Sequence, residues 1–299
     1  MSCRSALIAL VWLKLEWTPH RLLHDGITAV WSGPWSGAFC GLPMAFGCRC
    51  CVIFFGRESF EVKPEVFMKA DSKDYKTIQN FYESCLAEHG PVAKGMDWDS
   101  VGLVQRFAVM AEGLKNETGH FSILDLGCGV GFFLDYLKLY HPELEYTYTG
   151  IDVSQKMVDG ARGRHPGADF RAVDLIKDSA LDELTFDYVV INGVFTLRVG
   201  LERSSMEDFV EELCKKAFSL CNKMLAVNFM SKHVQWEKDR LFHYPFDEAA
   251  AFFAQDLSRH FLFRADYGLW EYTAYIFKSP REVRAEHDQY FIEKVLEGA

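Results

Sequence analysis

The amino-acid sequence predicts an α/β fold in which a mostly parallel sheet of seven strands carries helices on both faces. Three observations predict it. From residue 121 onward, strand-like and helix-like apolar segments alternate, which is typical of a parallel sheet. The first of these strands runs directly into a glycine-rich turn, Gly127–Gly131. The last two strand-like segments follow each other without a helix between them, which indicates a closing antiparallel hairpin.

The helices are predicted from apolar residues spaced three and four positions apart. Ser154 occupies the N-cap position of one helix, and Ser205 with Asp208 forms a capping pair that would open another. The predicted helices are Tyr75–His89, Val101–Leu114, Phe132–Tyr140, a helix after Ser154, a helix from Ser205 and Asp247–Leu257.

The strands are predicted from short apolar or alternating runs bounded by turn residues. They are Phe121–Leu126, Tyr148–Asp152, Asp169–Asp174, Phe186–Phe195 and Met224–Phe229, followed by the hairpin Phe261–Tyr267 and Glu271–Lys278. Sheets of this kind bind ligands beyond the carboxyl ends of their strands, where the strand order reverses. The residues that end each strand are therefore the first candidates for a functional site.

Residues 1–67 differ in composition from the rest of the chain. They hold five of the nine cysteines and four of the seven tryptophans, and they lack sustained periodicity. We expect a poorly structured extension outside the native domain, with translation beginning at Met68. A secretory signal, or a zinc site at Cys48, Cys50 and Cys51, is disfavoured because a cleavage site and a second ligand pair are missing. We expect a helical lid at 68–120, a core at 121–279 and a helical tail at 280–299.

Charge and hydropathy exclude several classes of protein. The formal net charge is −10, which repels phosphate backbones, so we expect no nucleic-acid partner. No run of 18 or more apolar residues occurs, so we expect no membrane-spanning helix. Nine cysteines without regular spacing are typical of a reducing compartment, so we expect the protein in the cytoplasm.

The turn after the first strand reads D-L-G-C-G-V-G, from Asp125 to Gly131. A dinucleotide fingerprint would need its third glycine where this chain has Phe132, which argues against a nicotinamide-dependent oxidoreductase. Acidic residues also end the second and third strands, at Asp152 and Asp174. In this combination, residues 75 to 278 resemble the class I S-adenosylmethionine-dependent methyltransferases, whose sheet is Rossmann-like.

The resemblance implies a role for each of these residues. The glycine loop would line the methionine part of S-adenosylmethionine, and Asp125 would help to hold its ammonium group. Asp152 would accept hydrogen bonds from both ribose hydroxyls, and Asp174 would accept one from the adenine amine. Val153 and Leu175 would pack on the adenine ring. The implied cofactor-binding residues are Asp125, Gly127, Cys128, Gly129, Gly131, Asp152, Val153, Asp174, Leu175 and Asn192.

The reaction implied by the resemblance is direct displacement of a methyl group from a sulfonium by a nucleophilic atom. Because this donor is already activated, the protein mainly has to align the reacting atoms. Asn192, at the end of the fourth strand, would face the methyl group as a catalytic residue. No set of metal ligands is apparent in the sequence, so we expect no metal ion.

The class of acceptor is predicted from two further features. The stretch Asn192-Gly193-Val194-Phe195 lacks the two prolines usual in methyltransferases that act on amino groups of bases, and no basic tail is present for docking a large partner. We therefore expect a small-molecule acceptor. A protein or tRNA acceptor, or a catalytically silent subunit that binds S-adenosylmethionine, is the alternative.

Aromatic segments before the first strand and after the fifth are candidates for the acceptor pocket. Trp98, Trp236 and Tyr244 would form apolar walls, and His243 would act as a general base because imidazole titrates near neutral pH. Packing within the lid is the alternative for all four. Stretches similar to H-G-x-x-x-x-G-x-D-W at 89–98 and Y-G-L-W-E-Y-T at 267–273 occur together in uncharacterised bacterial methyltransferases.

Overall fold

The computed structural model describes residues 75–98, 100–115, 117–281, 293–294 and 297. The expected extension at 1–67 lies outside these ranges, as does nearly all of the expected tail at 280–299. Within these ranges, no helix is long and apolar enough to cross a membrane. Most of the expected lid and the whole of the expected core are described.

The core is a single sheet. Its strands are β1 Phe121–Leu126, β2 Tyr146–Asp152, β3 Asp169–Ala172, β4 Phe186–Ile191, β5 Cys221–Ser231, β6 His243–Tyr244, β7 Phe261–Arg264 and β8 Glu271–Phe277. The order is β3-β2-β1-β4-β5-β8-β7, with β6 paired to β5. Strands β1 to β5 run parallel, whereas β8 is antiparallel to both β5 and β7. The predicted mostly parallel sheet with a closing hairpin is confirmed.

Six α-helices surround the sheet in the described part of the chain. They are α1 Lys76–His89, α2 Ser100–Glu112, α3 Phe132–Tyr140, α4 Gln155–Arg164, α5 Arg203–Ser219 and α6 Phe246–Phe252. The predicted cap of α4 is confirmed, because Ser154 Oγ accepts a hydrogen bond from the Met157 N–H. The predicted start of α5 is wrong: the helix begins at Arg203, two residues before Ser205.

Helices cover both faces because successive strand residues point in opposite directions. In β4, Val189 packs in the same core as Val210 of α5, whereas Val190 packs in the other core with Phe133 of α3. Strands buried on both faces are mostly apolar in sequence, and in β4 only Asp187 interrupts the apolar residues. Each fully buried aliphatic or aromatic side chain contributes about 1.5–3 kcal/mol to the hydrophobic stabilisation of the two cores.

Several details of the sheet differ from prediction. β3 ends at Ala172 and β4 ends at Ile191, each earlier than expected. The apolar sequence extends beyond the end of each strand because Val173 and Phe195, in the loops that follow, are also buried. The sheet also has eight strands instead of seven, since the two-residue β6 is too short to show periodicity.

The strand order reverses between β1 and β4, which are neighbours although β2 and β3 separate them along the chain. The connections from β1 and β4 therefore depart in different directions and leave a crevice beyond their carboxyl ends. The early ends of β3 and β4 leave Asp174 and Asn192 in the loops at this crevice.

Candidate active site

The glycine-rich turn connects β1 to α3 at the edge of the crevice. The backbone N–H groups of Gly127 and Cys128 both donate to the carbonyl of Ile151 in β2, at 2.8 and 3.0 Å. The Gly131 N–H donates to the Cys128 carbonyl at 3.0 Å, immediately before α3 begins. The turn therefore anchors on β2 and presents the N-terminal end of a helix, where backbone N–H groups are free to bind negative charge.

The backbone of this turn requires glycine. Gly127, Gly129 and Gly131 all have positive φ, at 78°, 54° and 84°. A Cβ on Gly127 would lie 2.4 Å from Val194 Cγ2, and one on Gly129 would lie 2.5 Å from Met96 Cε. The side chains of Val194 and Met96 thus pack closely over the turn, and the backbone of Gly127 forms part of the wall of the site.

Asp152 ends β2 and holds the turn in place. Its Oδ2 accepts a hydrogen bond from the Gly129 N–H at 3.0 Å, and its Oδ1 accepts one from the Ser154 N–H at 2.9 Å. Burial raises the pKa of Asp152 to about 6, although these two hydrogen bonds oppose the rise. Each carboxylate oxygen keeps acceptor capacity beyond one backbone bond, so the group can also accept from ligand hydroxyls.

Asp125, in β1, is a buried acid without a cationic partner in the described residues. It is 2% exposed, and the Tyr148 hydroxyl donates to its Oδ2 at 2.5 Å. Burial raises the pKa of Asp125 to about 7, and the nearby Asp152 charge adds to the rise, whereas the Tyr148 hydrogen bond opposes it. A buried carboxylate is costly unless it is paired, so this position suits a ligand that brings a positive charge.

Asp174 lies in the loop after β3 and is already engaged. The Tyr75 hydroxyl donates to its Oδ2 at 2.5 Å, and Lys177 Nζ lies 3.4 Å from the same oxygen. Asp174 Oδ1 has no such bond to a described residue. The two residues expected to pack on adenine both border the site but differ in exposure: Leu175 is buried, whereas Val153 is exposed to solvent.

One cavity connects most of the predicted cofactor-binding residues. It contains about 870 Å³ of empty space, including solvent at its mouth, which is in the range of small-molecule sites. Its walls include Gly127, Asp152, Val153, Asp174, Leu175 and Asn192. Helix α1 contributes Ile78, Gln79 and Tyr82 to the same walls, with Tyr75 immediately before it. Most of the predicted cofactor-binding residues, which are up to 65 positions apart in the sequence, therefore lie around one cavity.

A second cavity of about 400 Å³ adjoins the first, because Met96, Trp98, Gly127 and Asn192 line both. It contains Asp125 and Cys128, and its other walls are mainly apolar. Burial raises the pKa of Cys128 well above its usual value, so this residue is a neutral thiol at physiological pH. The described residues contain no group of three or more His, Cys, Asp or Glu side chains placed to hold a metal ion.

Asn192 lies where the two cavities meet. Its Oδ1 atom is buried, yet it accepts no hydrogen bond from a described residue. Buried polar atoms nearly always have a partner, so this unsatisfied acceptor in a cavity wall is available to a ligand donor. The glycine cradle, the unpaired Asp125 and this orphan oxygen together fit a ligand that carries an ammonium group and a polar, hydroxyl-bearing body.

Trp98 is the one predicted acceptor-site aromatic that lines these cavities. Three residues that were not predicted from the sequence support Trp98 and the loop beside it: Arg106, Asn228 and Glu271. The guanidinium of Arg106 lies over the Trp98 ring, its Nε–H is shared between the two Glu271 carboxylate oxygens, and its Nη2 also donates to Glu271 Oε1. A signal was present, since Asn228 interrupts the apolar run Met224–Phe229 and Glu271 is a charged residue at the start of a predicted strand; both are almost fully buried.

The other predicted acceptor-site residues do not line these two cavities. His243 and Tyr244 form β6, and His243 Nδ1 donates a hydrogen bond to the Ser231 carbonyl at 2.6 Å. Trp236 packs edge-on against His243, with ring centres 5.7 Å apart. His243 and Tyr244 therefore lie outside these cavities because they pair with β5 in the sheet, and Trp236 lies outside them because it packs against His243.

Comparison with known proteins agrees with this geometry. Residues 124–214 match the family described as Methyltransferase domain. The protein of Mycobacterium tuberculosis (strain ATCC 25618 / H37Rv) named "Putative methyltransferase Rv1506c" is 31% identical over 171 residues, which cover 56% of this chain and 98% of that protein.

Two solved structures are similar over part of the chain. Magnesium protoporphyrin IX methyltransferase from Synechocystis PCC 6803 shares 16% identity at a TM-score of 0.49, covering 69% of this chain and 97% of that one. The 1,6-didemethyltoxoflavin-N1-methyltransferase of Burkholderia thailandensis shares 16% identity at a TM-score of 0.48, covering 71% and 92%.

The relative from Mycobacterium is matched over nearly its whole length, and the family match spans the glycine-rich turn, Asp152, Asp174 and Asn192. The structure shows these residues around one crevice at the point where the strand order reverses. This chain belongs to the class I S-adenosylmethionine-dependent methyltransferases.

Proposed function

We propose that the protein transfers the methyl group of S-adenosylmethionine to a small, largely apolar molecule that binds beside Asn192 and Trp98. The observation that carries this proposal is the pair of adjoining cavities. The larger holds Asp152 and Asp174, and the smaller holds Asp125 within mainly apolar walls. Because both cavities are lined by Asn192 and Trp98, the region that they share is where donor and acceptor would meet.

The donor side of the site follows from the chemistry of the walls. Asp152 would accept from the ribose hydroxyls, and Asp125 would pair with the ammonium group. Asp174 would accept from the adenine amine through Oδ1, because its Oδ2 is occupied by Tyr75 and Lys177. Gly127, Gly129 and Gly131 would pass along the methionine part of the donor.

When bound, S-adenosylmethionine supplies a methyl group that its sulfonium charge has already activated. The protein contributes alignment and exclusion of water, which can be equivalent to effective concentrations of about 10⁵–10⁸ M. Asn192 would orient a polar group through its unpartnered Oδ1. The described side chains at the shared region include no histidine, so an acceptor with an easily lost proton, or with none to lose, suits the site best.

A small acceptor is favoured over a macromolecule because α1 covers the larger cavity. Glu83 of α1 accepts a hydrogen bond from Ser154 Oγ at 2.8 Å and pairs with Lys156 Nζ at 2.7 Å. These contacts tie α1 across the start of α4. A covered cavity admits a small molecule more readily than a folded polymer, and a net charge of −10 opposes RNA or DNA.

We also propose that the reaction takes place in the cytoplasm. The four described cysteines, Cys85, Cys128, Cys214 and Cys221, are free. Free thiols are typical of reducing compartments.

The proposal is tested in two steps. First, S-adenosylhomocysteine should raise the melting temperature whereas NAD should not, since a ligand stabilises only the protein that binds it. Second, methyl-labelled donor is incubated with a cell extract separated into small-molecule and macromolecular fractions. Label should enter the small-molecule fraction with wild-type protein and not with Asp152→Ala. Label confined to the macromolecular fraction, or stabilisation by NAD alone, would contradict the proposal.

A further inference from the structure

Two stretches that the proposed donor site does not use meet in the structure. One ends at Trp98, and the other places Glu271 at the first position of β8. Arg106 of α2 lies between them. Its guanidinium carbon is 4.1 Å from the centre of the Trp98 ring, and its Nε donates to both Glu271 oxygens at 2.9 and 2.8 Å. Arg106 therefore links Glu271 to Trp98, which forms part of the cavity wall.

The same carboxylate also reaches the loop after β4. Asn228 Nδ2 donates to Glu271 Oε2 at 2.9 Å, and Asn228 Oδ1 accepts from the Gly193 N–H at 2.7 Å. Gly193 in turn lies against Trp98, because a Cβ placed on it would be 2.0 Å from Trp98 Cζ2. The contacts close a ring: Trp98, Arg106, Glu271, Asn228 and Gly193.

Glu271 can hold this closed set of contacts in place because its own side chain is held rigidly. Its side chain is 1% exposed, and β8 lies inside the sheet between β5 and β7. A buried ion pair of this kind often adds little net stability compared with a well-packed apolar pair. It does impose geometry, since a guanidinium binds a carboxylate in a defined plane and stacks on an aromatic face.

We propose that Glu271 is a positioning residue for methyl transfer, acting through Arg106 on Trp98 and through Asn228 on the loop at Gly193. The first arm ends on Trp98, which lines both cavities, and the second ends on Gly193, which lines the larger cavity next to Asn192. A displacement of about 1 Å in such a wall can slow a reaction by about 10²-fold. The inference rests on the proposed function, because that function assigns the acceptor to this region.

The first test follows Trp98 and needs no acceptor. Fluorescence spectra are recorded for wild type, Glu271→Gln and the double variant Arg106→Met/Glu271→Gln, each alongside the same protein carrying Trp98→Phe. The differences isolate the emission of Trp98. The double variant removes both charges, so it leaves no buried charge unpaired and keeps the protein folded. We expect red-shifted, less anisotropic Trp98 emission in both variants. The affinity for S-adenosylhomocysteine should change by less than about threefold, because Asp152 and the glycine turn are intact.

The second test uses the acceptor identified by the labelling experiment. The double variant should lower kcat by about 10- to 100-fold while the KM for S-adenosylmethionine changes by less than about threefold. The matched control is Arg264→Met/Glu112→Gln. This pair also links the hairpin to α2, but it is more exposed and does not touch Trp98.

An unchanged Trp98 emission in both variants, or a wild-type kcat in the double variant, overturns the inference. Equal kcat losses in the control pair would also overturn it, since anchoring of α2 would then be the whole effect. If wild-type protein binds no S-adenosylhomocysteine, the proposed function fails, whereas the Trp98 spectra still decide whether Glu271 holds the indole.

Discussion

The carboxylate of Asp152 accepts a hydrogen bond from the backbone N–H of Gly129 at 3.0 Å, so the residue that ends β2 also holds the turn that follows β1. Its other oxygen accepts from Ser154, the N-cap of α4, at 2.9 Å. One side chain thereby joins the two turns that border the cavity. A substitution of Asp152 consequently changes both the shape of the site and its capacity to bind a ligand.

We expect Asp152→Ala to weaken binding of S-adenosylhomocysteine by about 1–3 kcal/mol, because it removes acceptors for ligand hydroxyls and releases the Gly129 turn. Asp152→Asn should lose less, since its amide oxygen keeps one acceptor. Titration calorimetry measures both. Asp159→Ala is the matched control, because Asp159 lies on the exposed side of α4. Equal affinities of wild type and Asp152→Ala would remove Asp152 from the binding site.

Asp125 should make the unliganded protein less stable as pH rises. Burial raises its pKa from 3.8 to about 7, so the native state keeps a proton that the unfolded chain releases near pH 4. Between these values the native state binds more protons, and the free energy of unfolding therefore falls with increasing pH. The slope from one such group is at most about 1.4 kcal/mol per pH unit. Urea denaturation across this window should show a shallower slope for Asp125→Asn.

We assign to Asp152 the pH dependence of the unfolding free energy that remains in Asp125→Asn. Burial raises the pKa of Asp152 to about 6. The double variant Asp125→Asn/Asp152→Asn should therefore flatten the profile further. A profile in Asp125→Asn as steep as in wild type would show that the Asp125 carboxyl is ionised in the native protein throughout this range.

Ligand affinity should change with pH in the opposite direction. Only the ionised Asp125 attracts an ammonium group, so affinity for S-adenosylhomocysteine should rise between about pH 6 and about pH 7.5. Asp125→Asn should bind more weakly and with less dependence on pH. Calorimetry in buffers of different ionisation enthalpy would also detect the proton released on binding. Identical pH profiles in the two proteins would exclude Asp125 as the partner of the ammonium group.

Gly193→Ala should disturb the site because a Cβ there would lie 2.0 Å from Trp98 Cζ2, at a positive φ of 79°. We expect a loss of about 1–3 kcal/mol in stability and an altered Trp98 emission. Gly119→Ala is the control, since Gly119 also has a positive φ but no atom within 4 Å of its Cβ position. Adding Trp98→Ala to Gly193→Ala should restore part of the stability. Equal losses in the Gly193 and Gly119 variants would show that only backbone strain matters.

His243→Ala distinguishes a structural histidine from a general base. Because His243 Nδ1 bonds to Ser231 and the side chain is 4% exposed, we expect a stability loss of about 1–3 kcal/mol with an unchanged kcat. His141→Ala is the matched control, since His141 is another buried histidine whose Nε2 has no described partner. A kcat lowered at least about tenfold at normal stability would instead establish His243 as the base predicted from the sequence.

The order of the elements and the residue types near the strand ends can be predicted from the amino-acid sequence alone. Alternating apolar segments identify parallel strands because such strands are buried on both faces. The glycine turn is recognisable because glycine is favoured where φ is positive. Asp152 then ends the second strand, and Asp174 lies in the loop just after the third. These signals depend on residues that are close together in the chain, so they can be recognised in the amino-acid sequence.

Contacts between residues that are distant in the sequence could not be predicted in this way. Sequence reasoning grouped His243 and Tyr244 with Trp98 because all belong to aromatic segments near the site, yet pairing of β6 with β5 takes the first two into the sheet. It overlooked Glu271 and Arg106, which are 165 positions apart and meet at Trp98. The physical reason is that strand register and helix placement determine such contacts, and neither produces a periodic pattern of residues in the sequence.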